Sequence, residues 1–247
     1  MWRCDINTKV LLLSLCLGCS LQLNAADIIG LDDVEIDSDQ FSTNIVTSQS
    51  VLKGNVILRH QGMVIRCGLA EIFPRNNDNT EPKYLLSEQL SMVQETETYE
   101  LSAQSGSATY LPVSDELIMQ KQVRFNHQQA DQRFEIEAEN LRVLQKEGVL
   151  DQLIATGNPA KLSQTFVNKR VVIEASKINW IAQSNTAILL DASLNDGVTT
   201  FSASEIEYNT STGSITAKGQ GDDRPKYRFN NKNENAKENQ EEQDNDT

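Results

Sequence analysis

Glu135-Ile-Glu-Ala-Glu-Asn-Leu-Arg-Val143 carries a change of phase that decides the fold. Ile136 and Ala138 share one alternation, whereas Leu141 and Val143 share the opposite one. Side chains on a strand alternate faces with period two. Keeping both pairs on one face therefore requires one extra residue between them, a bulge or a corner. The same switch separates Ile173/Ala175 from Ile178/Trp180 and Phe201/Ala203 from Ile206/Tyr208. Val64-Ile-Arg-Cys-Gly-Leu-Ala-Glu-Ile-Phe73 and Glu100-Leu-Ser-Ala-Gln-Ser-Gly-Ser-Ala-Thr-Tyr110 share the layout. The common small residue falls at Cys67, Ala103, Ala138, Ala175 and Ala203, at intervals of 36, 35, 37 and 28. Such a period points to stacked units, none of which buries its apolar face alone. A strand that bends at the same place in every unit predicts an all-β, elongated, folded-over sheet. This is a long β-sandwich or jelly roll with a continuous apolar interior, not a round barrel.

Between these units, Gly54–Leu58, Gln122–Phe125, Ala160–Leu162 and Ala192–Leu194 read as short return strands, separated by turn signals such as Gln61-Gly62 and Asp196-Gly197. A polar loop bounded by Pro74 and Pro82 interrupts the pattern, and Tyr84–Leu86 with Leu90–Met92 reads as a further strand pair. No long amphipathic helix is evident. The sheet ends in unpaired edges: Val34–Gln40 at the start, and Ser214–Ala217 with Lys226–Phe229 at the finish. Open edges are either blocked or used for pairing.

The 247 residues divide three ways. Arg3 and Lys9, the apolar run Val10–Gly18 and the small pair Ala25-Ala26 have the layout of a secretory signal over 1–26. An uncleaved anchor, or a lipoprotein through Leu17-Gly18-Cys19, also fits that stretch. Residues 27–229 form the repeating body. Residues 230–247 contain Ala236 as their one apolar side chain, which predicts a disordered acidic tail.

Charge and composition then exclude several functions. With 22 Lys+Arg against 35 Asp+Glu, the net charge of −13 argues against nucleic acid as a partner. His60 and His127 are the whole histidine complement, so a multi-histidine metal site is not expected. Cleavage of the signal would leave Cys67 alone, a small hydrophobe on an apolar face with no disulfide partner. The Asp37/Asp39 and Asp222/Asp223 pairs read as turn and strand-end residues. Neither a nucleophile elbow nor a phosphate-binding glycine loop occurs, so no enzyme, cofactor or metal is expected.

Val34-Glu-Ile-Asp-Ser-Asp-Gln40, followed by Leu52-Lys-Gly-Asn-Val-Ile-Leu58, resembles the opening of the OstA-like (LptA) family of lipopolysaccharide export proteins. Gly157-Asn-Pro-Ala160 and Glu174-Ala-Ser-Lys-Ile178 resemble later strands of that family, and the likeness runs from Val34 to Tyr227. The stretch from Pro74 to Gln132 is longer than the family pattern. The resemblance implies an elongated, bent β-jellyroll of stacked antiparallel strands in the Gram-negative periplasm, and binding of the lipid A part of lipopolysaccharide. It also implies edge-strand joining to LptC-like and LptD-like jellyroll domains, and allows head-to-tail self-association.

The expected lipid groove consists of Val34, Ile36, Val56, Leu58, Ile65, Ile136, Ala138, Leu162, Ile173, Ala175, Trp180, Phe201, Ile206 and Tyr208, with Trp180 and Tyr208 near a rim. Lys53, Arg59 and Arg66 are candidates for lipid phosphates, or else plain outward charges. Two alternatives stay open: a membrane-anchored LptC-like component, and a structural β-repeat module whose large and small side chains interdigitate in a dry core.

Overall fold

The computed structural model describes residues 34–229, apart from 76–80, 131, 167–168 and 220–223. The expected signal and acidic tail lie outside these residues, as does the middle of the Pro74–Pro82 loop. Fourteen strands form one antiparallel sheet. They are β1 (Glu35–Asp37), β2 (Gln40–Asn44), β3 (Gln49–His60), β4 (Met63–Phe73), β5 (Lys83–Glu95), β6 (Glu100–Leu111) and β7 (Glu116–Gln129). Then follow β8 (Gln132–Lys146), β9 (Val149–Phe166), β10 (Lys169–Ile181), β11 (Thr186–Asn195), β12 (Thr199–Asn209), β13 (Ile215–Lys218) and β14 (Lys226–Phe229). Strands β3 to β13 lie side by side in chain order, with β1 and β2 on β3 and β13 and β14 on β12.

Each long strand turns a corner at its middle. The register between β3 and β4 jumps from Lys53↔Leu69 to Val56↔Cys67, so Gly54 and Asn55 oppose Gly68 alone. Between β5 and β6, Glu88 and Gln89 oppose Gly106, and between β7 and β8, Lys121 and Gln122 oppose Glu139. The paired residues Gly54/Asn55, Glu88/Gln89 and Lys121/Gln122 all have positive φ, between 45° and 74°. In β3, β5 and β7 the corner is therefore a two-for-one bulge, with two residues of the return strand opposite one residue of the unit. The repeating unit carries the one extra residue that its change of phase requires, with Ile173 and Ala175 buried on the same side as Ile178 and Trp180. The unit keeps its face by a three-residue step, as from Ala175 to Ile178, while the return strands β3, β5 and β7 step by four, as from Leu86 to Leu90. For the same reason Tyr84–Leu86 and Leu90–Met92 are two halves of β5 rather than a strand pair.

Folding at this line of corners lays one half of every strand over the other. Ile136, Leu141, Leu162, Ile173, Ile178 and Ile206 are fully buried between the layers. Cys67 is buried, donates to the Leu69 carbonyl (3.3 Å), and has its thiol pKa raised chiefly by that burial. The outer face carries cross-strand ion pairs such as Lys161–Glu174 (2.9 Å) and Arg124–Glu137 (3.0 Å). Exposed pairs of this kind add little stability.

Candidate functional site

Between the layers, Val34, Val56, Leu58, Ile65, Ile136, Leu162, Ile173, Ala175 and Ile206 are buried in one cluster. Ile36, Ala138 and Phe201 are half-buried and pack against it. Ile36 and Phe201 lie near the two ends of the sheet, where neighbouring strands run out. All fourteen residues expected to face inward thus touch or form the interior. Trp180 and Tyr208 do so as well, near the strand ends where the two layers close, and they are 1% and 0% exposed. Trp180 Nε1 donates to Thr210 Oγ1 (3.1 Å) and Tyr208 OH donates to Gln164 Oε1 (2.8 Å), so both polar atoms are satisfied inside. Burial drives the Tyr208 hydroxyl pKa upward.

The cations divide differently. Lys53 and Arg66 point outward and are exposed. Arg59 Nη1 donates to Asp37 Oδ2 (2.6 Å), which ties β1 to β3. Asn55 Nδ2 donates to Asp39 Oδ2 (2.8 Å), so the first carboxyl pair braces the first corner.

The sequence reading missed a row of buried polar side chains where the two layers close on each other. His60 at the end of β3 is hydrogen-bonded to Tyr110 at the end of β6. Gln145 Nε2, on β8, donates to Gln94 Oε1, on β5 (2.6 Å), and Gln94 Nε2 donates to the Gly148 carbonyl (2.7 Å). His127, on β7, packs in a triangle of rings with Phe134 (ring centroids 4.8 Å) and Trp180 of β10 (5.1 Å). Gln164, on β9, accepts from Tyr208 of β12 and donates to the Thr210 carbonyl (2.7 Å). Each rung joins one odd strand to the even strand three further on. The signal was present: His60, Gln94, His127 and Gln164 recur at intervals of 34, 33 and 37.

Gly148 closes the second rung from above. Its φ of 74° suits glycine, and a Cβ there would stand 2.9 Å from Gln61 Cβ of the opposite layer. Burial lowers the His127 pKa to about 4, raises that of Tyr84 to about 12 and raises that of Tyr110 further. Among the described residues no cluster of His, Cys, Asp and Glu suits a metal ion.

Two overlapping stretches, 35–135 and 128–214, match the family model described as LptA/(LptD N-terminal domain) LPS transport protein. The chain belongs to this family. LptA-like proteins of this kind are transport components, not enzymes. A similar solved structure is LptH from Pseudomonas aeruginosa, the LptA homologous periplasmic component of a lipopolysaccharide transport device. It is 16% identical, with a TM-score of 0.46, covering 53% of this chain and 93% of LptH. No curated protein matches.

Proposed function

We propose that the chain carries the lipid A acyl chains of lipopolysaccharide between its two layers, through the periplasm of a Gram-negative cell. The observation that supports this most is an aliphatic interior running unbroken from Val34 beside β1 to Ile206 in β12, across the whole family match. Each CH₂ exposed to water costs about 0.8 kcal/mol. Multiple acyl chains therefore need a continuous apolar path rather than catalysis. LptC-like and LptD-like jellyroll domains extend the path by adding strands at the two open edges. An Ile215→Lys exchange tests the C-terminal edge, because Ile215 is 40% exposed on β13, the last strand in the order. It should abolish capture of a sister domain and leave the melting temperature unchanged; undiminished capture refutes the edge assignment.

A second reading has its own support. The interior side chains are packed out of contact with solvent, as they are in a structural β module with a dry core. A photoreactive residue at Ile173 separates the two, with Val172 on the outer face as control. An adduct with lipopolysaccharide from position 173 but not 172 is expected in living cells. No adduct from position 173 overturns the transport reading in favour of the dry module. N-terminal sequencing of the periplasmic protein distinguishes a cleaved signal from an LptC-like anchor.

A further inference from the structure

An amphiphile with its chains between the layers must leave its polar head where the interior meets water, and the line along which the layers close is such a boundary. Among the described residues, two buried side-chain polar atoms have no hydrogen-bond partner: Asp115 Oδ1 and His127 Nδ1. Buried polar atoms are nearly always satisfied, so each exception needs an explanation. Both lie on this closing line, and both belong to one patch around the turn between β8 and β9. Asp115 Oδ2 accepts from the Gly148 amide (3.1 Å), and Tyr99 OH accepts from the Leu150 amide (3.1 Å). Tyr99 in turn stacks on His127, with ring centroids 6.0 Å apart. From the other side, Gln94 holds the Gly148 carbonyl and Gln145 holds Gln94. Residues 147–150 thus form a strap across the seam, fastened by side chains of both layers and flanked by two orphaned polar atoms.

We propose that this patch is the head-group site for an acylated sugar: the strap lifts, the layers part, and the sugar takes over the hydrogen bonds that the patch now makes with itself. This rests on the interior carrying acyl chains. The chemistry selects the ligand groups. Asp115 supplies carboxyl acceptors, which suit hydroxyl and amide N–H donors and disfavour phosphate oxygens. Gln94 and Gln145 carry donor and acceptor on one amide, a match for neighbouring sugar hydroxyls. The His127 ring adds a polar atom that has no partner until a ligand provides one. The sugar hydroxyls and amides of the head, rather than its phosphates, therefore dock in the middle of the seam.

Asp115→Asn tests the site with little risk to folding, since its remaining carbonyl oxygen still accepts from Gly148 while the orphaned position becomes an NH₂ donor. His127→Phe is an independent second variant, because phenylalanine keeps the stacking on Phe134 and Trp180. Affinity would be measured by fluorescence displacement for two probes, purified lipopolysaccharide and a diacylglycerol that lacks a sugar. Each variant should lose about tenfold for lipopolysaccharide, the scale of one buried hydrogen bond, with diacylglycerol affinity unchanged. Hydrogen exchange on the unsubstituted chain should show the amides of Gly148 and Leu150 losing protection when lipopolysaccharide binds. Equal losses for both probes, no loss for either variant, or a strap that stays protected in the bound state would each overturn the site. Failure of the unsubstituted chain to bind either probe would instead overturn the lipid-carrying interior, and the site with it.

Discussion

Replacing Gln164 by leucine removes the side chain that satisfies two other groups. Tyr208 OH and the Thr210 carbonyl would both lose their partner in a site where Gln164 is 2% exposed. A stranded buried polar group costs roughly 1–3 kcal/mol, so Gln164→Leu should destabilise by about 2–4 kcal/mol in urea unfolding. An exchange on the outer face, such as Ser163→Ala, should be nearly neutral. His127 gives a second expectation, in pH. Its pKa falls to about 4 in the fold from 6.5, so the unfolded chain binds the proton more readily. The stability this ring contributes is complete above pH 6.5 and is lost as the pH falls towards 4. The loss reaches about 3 kcal/mol. The His127→Phe variant should lose that part of the acid sensitivity, seen as a smaller drop in melting temperature between pH 7 and 4.5. The recurrence of these residues is visible in the sequence, but their burial is not, for a physical reason. A polar side chain at a strand end ordinarily faces water, and only a partner three strands away, about fifty residues on, makes it interior.

At the scale of the element, the corner explains which half of the pattern could be read. The repeating units keep their face by a three-residue step, which flips the parity and stands out in the sequence. The return strands β3, β5 and β7 place two residues at positive φ and step by four, so their parity does not change and nothing marks the bend. Glu88, Gln89, Lys121 and Gln122 are charged or amide side chains with no glycine among them to announce the conformation. Glycine instead stands opposite, where space is short. A Cβ on Gly106 would meet Lys121 Cβ at 2.9 Å, and one on Gly68 would meet Glu88 Cβ at 2.8 Å. Those near atoms are fixed to the backbone and cannot swing aside. Gly106→Ala should therefore destabilise by about 1–3 kcal/mol, the range for overpacking. Adding Lys121→Gly removes the obstructing Cβ and relaxes a strained φ, so the double variant should recover most of the loss. Strict additivity of the two changes in a double-mutant cycle would refute the contact.

Across the whole molecule, strands pair side by side in the sheet, and β3, β5, β7 and β9 each meet the strand three places on through a rung. Sheet order and apolar interior were legible, because they follow from periodicity. The span was less so, since the stretch from Pro74 to Gln132 exceeded the expected pattern. The fold accounts for that excess: β5, β6 and β7 are full members of one sheet, and two consecutive family matches meet at residues 128–135, at the turn between β7 and β8. A cut there tests whether the chain is one cooperative body or two. The β7–β8 ladder runs from Glu116↔Leu144 to Gln129↔Gln132. The rungs Gln94–Gln145 and His127–Trp180 also cross the boundary, while His60–Tyr110 and Gln164–Tyr208 lie within the halves. Neither half alone would cover the apolar faces that β7 and β8 bury against each other's layers. The two pieces should therefore stay joined after a protease site placed between Gln129 and Gln132 is cleaved. They should co-elute in size-exclusion chromatography and melt in a single transition. Separation in buffer without denaturant, or two independent transitions, would show two units that merely adjoin.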